Sequence, residues 1–148
     1  MDILFSNFKL SNSIGHIVNI VANKMKFELE QTFQKNGYDM TAQQWMILSI
    51  VYENEGISQN ELAVKSKKDK TNITRIIEKL ESKNLIERIQ SDNDKRVILV
   101  FATDLGKKTR EGLSKLALEV IEKSTLNVSS QEQVVCIQIL KKIYANLS

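Results

Sequence analysis

Apolar side chains recur every three or four positions over most of the chain, the period of helices with one buried face. Ile14, Val18, Val21, Met25 and Leu29 mark such a stripe and predict a helix from about residue 11 to 35. Asn36 and Gly37 stop it, because glycine readily takes the left-handed conformation just past a helix end. Thr41 opens a second helix: Gln44 completes a capping box, and Met40 and Trp45 stand at the positions of a hydrophobic staple. Trp45, Leu48, Val51 and Tyr52 are expected to face inward. Ile47 and Ile50 add apolar surface beside that stripe, so this helix should be buried on more than one side until Asn54, Glu55 and Gly56 end it. Ser58 and Glu61 form another capping box, which starts a short helix over 59–65. The polar turn Ser66-Lys67-Lys68 follows, then Asp69 as the cap of a fourth helix whose buried face is Ile73, Ile76, Ile77 and Leu80. A short helix, a tight turn and a second amphipathic helix make a helix-turn-helix.

The period changes after Asn84. Residues 85–90 and 96–101 are rich in β-branched and apolar side chains, and the turn formers Ser91, Asp92, Asn93, Asp94 and Lys95 lie between them. A β-hairpin is predicted there. Thr103 then caps a long helix with Leu113, Leu116, Val120 and Ile121 on its stripe, and Ser129 with Glu132 boxes a last helix carrying Ile137, Leu140, Tyr144 and Leu147. The expected fold is mainly α with a small β-hairpin wing: a single domain over 1–148, with a winged helix-turn-helix core at 37–102 and terminal helices at 1–36 and 103–148. Those terminal helices have no second core to cover. The simplest partner for their apolar stripes is the same surface on a second copy about a two-fold axis, which makes the chain a homodimer with Ile14, Val18, Ile137, Leu140 and Tyr144 at the interface.

Composition narrows the function. The 148 residues include no proline and five glycines, and 42% are hydrophobic against 26% charged, which excludes disorder and collagen-like fibres. No apolar run reaches the length of a membrane span, and the first residues show neither a basic lead nor a long apolar stretch, so neither a membrane association nor export is expected. A cytoplasmic location follows. One cysteine, Cys136, forms no intramolecular disulfide and no zinc site alone. The net charge is only +3, yet residues 65–96 carry ten basic and six acidic side chains while residues 1–64 are net negative. The positive excess coincides with the helix-turn-helix.

A helix-turn-helix reads DNA with the N-terminal part of its second helix, where side chains reach base edges and neighbouring cations hold phosphates. Arginine matches guanine O6 and N7, asparagine matches adenine N6 and N7, and threonine meets a thymine methyl. Thr71, Asn72, Thr74 and Arg75 are therefore candidates for base contacts, and Lys67, Lys68, Lys70 and Lys79 for phosphates. The hairpin turn adds Lys95 and Arg96, placed to reach flanking phosphates or a minor groove. A solvated helix face of mixed charge would look similar taken alone; two basic elements in series favour DNA.

In order along the chain, these stretches resemble the MarR family of winged-helix transcription factors: Thr41 to Trp45, Ile57 to Ala63, Asn72 to Glu81, Leu85 to Arg88, the Asp94-Lys95-Arg96 turn, and Thr103 to Gly106. The resemblance covers residues 41–106 in motif and the whole chain in layout. It implies a dimeric regulator, usually a repressor, that binds palindromic double-stranded DNA and is released by a small-molecule effector or an oxidant. It also implies that Asp94 holds Arg96 in the wing and that Arg96 contacts DNA. Two positions depart from the family pattern. Asn84 stands in place of a glycine, which asparagine's tolerance of left-handed geometry accommodates. Ala102 stands in place of a leucine.

Phe27, Phe33, Trp45 and Tyr52 are candidates for an effector pocket between the dimer helices and the core, although aromatic residues at helical spacing also make plain core. Cys136 reads as a small hydrophobe or a redox site, and His16, the one histidine, as an interface or surface residue. No metal and no cofactor are expected. An interaction module that docks its fourth helix on another protein is the competing reading. An enzyme is the third, and the sequence shows no glycine-rich phosphate loop, nucleophile pair or metal spacing to support it.

Overall fold

The computed structural model describes residues 8–148; residues 1–7, which bear on export, lie outside them. After a 3-10 turn at Leu10–Asn12 come helices α1 (Ile14–Lys35) and α2 (Ala42–Glu53), strand β1 (Ile57–Ser58), helices α3 (Gln59–Ser66) and α4 (Lys70–Ser82), strands β2 (Ile86–Gln90) and β3 (Ile98–Ala102), and helices α5 (Asp104–Ser124) and α6 (Ser130–Asn146). The helix expected from residue 11 starts at Ile14, because Ser13 is extended (φ −76°, ψ 128°) and separates the 3-10 turn from α1. Capping boxes at Thr41/Gln44, Ser58/Glu61 and Ser129/Glu132 are all formed.

The sheet has three strands in the order β1-β3-β2, all antiparallel. Ile86 faces Ala102 and Gln90 faces Ile98 in the hairpin, and Ile57 and Ser58 pair with Val100 and Leu99 on the other edge of β3. β1 was not legible in the pattern: two residues cannot show alternation, and they exist as a strand only because β3 offers them an edge.

One core joins these elements, with Phe33, Ile47, Leu48, Leu62, Ile77, Leu80 and Leu113 wholly inside. On α2 the inward face is Ile47, Leu48 and Val51, while Tyr52 is 41% exposed, contrary to the expected stripe. A helix that is apolar nearly all round carries no reliable phase, and packing chose the direction. Tyr52 lies outside, under the Arg110 guanidinium, 4.6 Å from its carbon to the ring centre. The Thr103 hydroxyl pins the start of α5, donating to the Asn84 carbonyl (2.7 Å) and accepting from the Gly106 amide (2.9 Å). Asn84 is left-handed (φ 57°). Gly106 approaches β2 so closely that a Cβ there would overlap the Leu85 carbonyl.

Helices α1 and α5 lie against each other. Glu28 on α1 joins Lys24 of its own helix (2.9 Å) and Lys123 of α5 (3.0 Å), and the hydrogen bond from Lys24, then that from Lys123, draws its carboxyl from 4.5 down to about 2. Beyond this seam the ends are bare. α6 has no buried residue, and Phe33 is the one buried residue of α1.

Candidate nucleic-acid interface

α4 is the most strongly amphipathic element. Ile73, Ile76, Ile77 and Leu80 enter the core, which turns Lys70, Thr71, Asn72, Arg75 and Lys79 outward, with Thr74 half-buried at the boundary. The structure thus brings the four candidate base contacts and three of the lysines onto the surface at and around α4, with Lys67 in the preceding turn.

Their hydrogen-bond states differ. Asp69 caps the helix, its Oδ1 accepting from the Asn72 amide at 2.9 Å, and its Oδ2 accepts from the Asn72 side chain at 3.0 Å. These bonds, the backbone one foremost, hold the Asp69 carboxyl below its ordinary value. The Thr74 hydroxyl donates to the Lys70 carbonyl (2.9 Å) and accepts from Gln59 of α3 (3.1 Å), which leaves its methyl as the uncommitted group. No side-chain hydrogen bond to Thr71 or Arg75 occurs among the described residues. Gln59 was missed by sequence reasoning: it lies fifteen positions from Thr74, and no periodicity links the two.

Within residues 65–96 the cations divide at residue 80. Lys83 pairs with Asp39 (3.2 Å), Arg88 with Glu81 (2.6 Å), Lys95 with Asp92 (3.5 Å) and Arg96 with Asp94 (3.1 Å). Lys65, Lys67, Lys68, Lys70, Arg75 and Lys79 form no ion pair among the described residues. Lys67 instead lies 5.6 Å from the Tyr144 ring centre, so a residue expected at phosphate meets one expected at the dimer interface. Unpaired ammonium groups on one face are free to displace counterions from a phosphate backbone.

In the wing, both Arg96 Nε and its terminal nitrogen donate to Asp94, and the Arg96 backbone amide does the same at 3.0 Å. The Arg96 side chain nonetheless stays 91% exposed. Its hydrogen bond lowers the Asp94 carboxyl and raises the guanidinium. Between the wing and the helix-turn-helix lies a cavity of about 220 Å³ bordered by Ser58, Gln59, Lys70, Thr74 and Arg96.

Ile14, Val18, Ile137, Leu140 and Tyr144 are all exposed in the single chain. A cleft of about 970 Å³ between α1, α5 and α6 is lined by Val21, Met25, Ile121, Val128, Ile137 and Leu140, with Cys136 at its wall. The four aromatic candidates do not converge on one cavity: Phe33 is sealed in the core edge-on to Trp45 (6.1 Å), Tyr52 faces Arg110, and Phe27 is exposed beside Lys24. His16 is half-buried on α1. Among the described residues no group of three or more His, Cys, Asp or Glu side chains is arranged to hold a metal ion, and no helix is long and apolar enough to cross a membrane.

A helix-turn-helix, a short third strand and a hairpin that carries Lys95 and Arg96 at its turn define a winged-helix fold of the DNA-binding class. The sequence signature of the MarR family matches residues 40–98. An uncharacterised HTH-type transcriptional regulator of Bacillus subtilis (strain 168), YybA, is 30% identical over 109 residues, 74% of this chain and 73% of that protein. A mutant of MarR from E. coli complexed with operator DNA is 27% identical and superposes with a TM-score of 0.81 over 88% of this chain and 92% of that one. PcaV from Streptomyces coelicolor, in complex with its natural ligand, shares the fold (TM-score 0.85, 15% identity, 95% and 98% covered). The chain belongs to the MarR family of winged-helix transcriptional regulators. These relatives are regulators rather than enzymes.

Proposed function

We propose that the protein is a cytoplasmic, sequence-specific repressor that binds a palindromic operator as a homodimer and is modulated by a small-molecule effector. The observation that carries this reading is the unbroken run of unpaired cations from Lys65 to Lys79, which is followed, over residues 83–96, by basic residues that are each matched with an acid. Thr71, Asn72, Thr74 and Arg75 read base edges; Lys67, Lys68, Lys70 and Lys79 position the head on phosphates; Asp94, Lys95 and Arg96 serve the wing. The bare apolar faces of α1 and α6 support pairing between copies, through Ile14, Val18, Ile137, Leu140 and Tyr144. Such a pair sets two copies of α4 about 34–36 Å apart, one turn of duplex. An effector acts by binding better to a pair with the wrong spacing. The ligand-bound neighbour supports an effector.

Fluorescence anisotropy with the chain's own upstream DNA and a scrambled duplex tests the reading at moderate salt. Tight binding to the first alone is expected; equal affinity for both would refute it, and a stable complex with another protein without DNA affinity would establish the interaction module instead. Arg75→Ala should cost about 1–3 kcal/mol on the operator and relax preference at one base pair. Lys68→Ala should weaken all sequences alike and reduce the salt slope by about one.

A further inference from the structure

Asp69 does two jobs with two oxygens. Oδ1 caps α4 by accepting the Asn72 amide, a task that serine or threonine performs as well. Oδ2 takes the Asn72 side-chain nitrogen at 3.0 Å, and a carboxylate can only accept, so the carboxamide must turn its NH2 toward Asp69 and its Oδ1 away. One N–H is spent on Asp69; the second N–H and the carbonyl remain as a donor and an acceptor, the complement of adenine N7 and N6. Both residues are exposed, so burial does not hold this arrangement.

The charge makes the choice of cap informative. A carboxylate among Lys67, Lys68 and Lys70 repels the same phosphates that those lysines attract, so affinity for DNA in general is better served by a neutral cap. Asp69 is ionised at neutral pH, and the backbone and side-chain bonds from Asn72 hold its carboxyl below the ordinary value. What the charged cap adds over a neutral one is the second bond, which fixes the orientation of an otherwise free polar side chain before the duplex arrives.

We propose that Asp69 is a specificity-determining positioning residue, which pre-orients Asn72 for one base pair at the expense of general affinity for DNA. The proposal rests on the reading of α4 as the base-reading helix, and the experiment separates the two. Asp69→Asn retains an oxygen for the Asn72 amide, but places an NH2 where the second oxygen stood, and that group cannot accept from Asn72. The preferred sequence is selected from a random duplex pool with the wild-type protein. Affinities for it, for each single base-pair change and for random duplex are then measured for wild type, Asp69→Asn, Asn72→Ala and the double variant, with Asp69→Ser as a second neutral cap and thermal melting as the control for α4.

The expected result is that both neutral caps bind random duplex several-fold more tightly, while discrimination falls by roughly three- to tenfold at the base pair that Asn72→Ala identifies and nowhere else. In the Asn72→Ala background, Asp69→Asn should still raise general affinity but change discrimination no further. Wild-type discrimination in both neutral-cap variants, or an equal loss at every position, would overturn the proposal and leave the base-reading assignment intact. If the wild-type protein selects no sequence, or Asn72→Ala alters no preference, the base-reading assignment itself fails and takes the proposal with it.

Discussion

Helices α4 and α6 both carry apolar side chains, and those side chains meet opposite fates. In α4, Ile73, Ile76, Ile77 and Leu80 are all buried, and the polar remainder of the helix becomes the basic face. In α6, Val134, Val135, Ile137, Ile139, Leu140 and Tyr144 are all exposed. The difference lies in what each helix is offered. α4 finds α2, α3 and β2 within its own chain, whereas among the described residues no element buries the apolar side chains of α6. Exposed apolar area carries a cost of about 25 cal/mol per Å², which is the physical ground for the proposal that a second copy covers this face.

The comparison can be broken at either end. The largest effect is expected from Ile137→Asp combined with Leu140→Asp, which touches nothing in the core. Sedimentation should show a monomer in place of a dimer, and operator affinity should fall roughly 10²–10⁴-fold as two linked contacts become one. A double variant that stays dimeric would show that α6 is not the interface. On the other side, Gly106→Ala drives a methyl into the Leu85 carbonyl and should lower unfolding free energy by about 1–3 kcal/mol in urea, with the dimer retained. The smallest effect belongs to the seam between the two regions. Lys24 and Lys123 lower the folded-state pKa of Glu28, so its contribution is present above the ordinary carboxyl value and lost as pH falls toward about 2. The urea midpoints of wild type and Glu28→Gln should therefore differ slightly at pH 7 and converge between pH 4.5 and about 2.

How much was legible follows the same division. Helix starts were readable because Thr41, Ser58, Asp69, Thr103 and Ser129 act on their own local backbone, and each is a working cap. The face of α4 was readable because its apolar residues stand at one period. The face of α2 was not, since apolar side chains surround it and only the assembled core decides that Ile47 goes in and Tyr52 out. At the candidate interface, the identities and outward direction of Thr71, Asn72 and Arg75 followed from the spacing of isoleucines. Their hydrogen-bond states did not: the Gln59–Thr74 bond and the Lys67–Tyr144 contact join distant positions, and each needs the tertiary fold before it exists. The pairing of Lys83 with Asp39 was hidden for the same reason, whereas that of Arg96 with Asp94 lies within one turn and was expected.

Lys67 ends α3 with φ at 58°, a left-handed conformation that costs a side chain on the order of 1–2 kcal/mol and glycine almost nothing. The bend on which the reading head turns is thus made by a residue ill suited to bending. Conformational comfort has been surrendered at that corner for an ammonium group resting against an aromatic ring of the last helix. The corner of the motif is thus also its point of contact with the last helix.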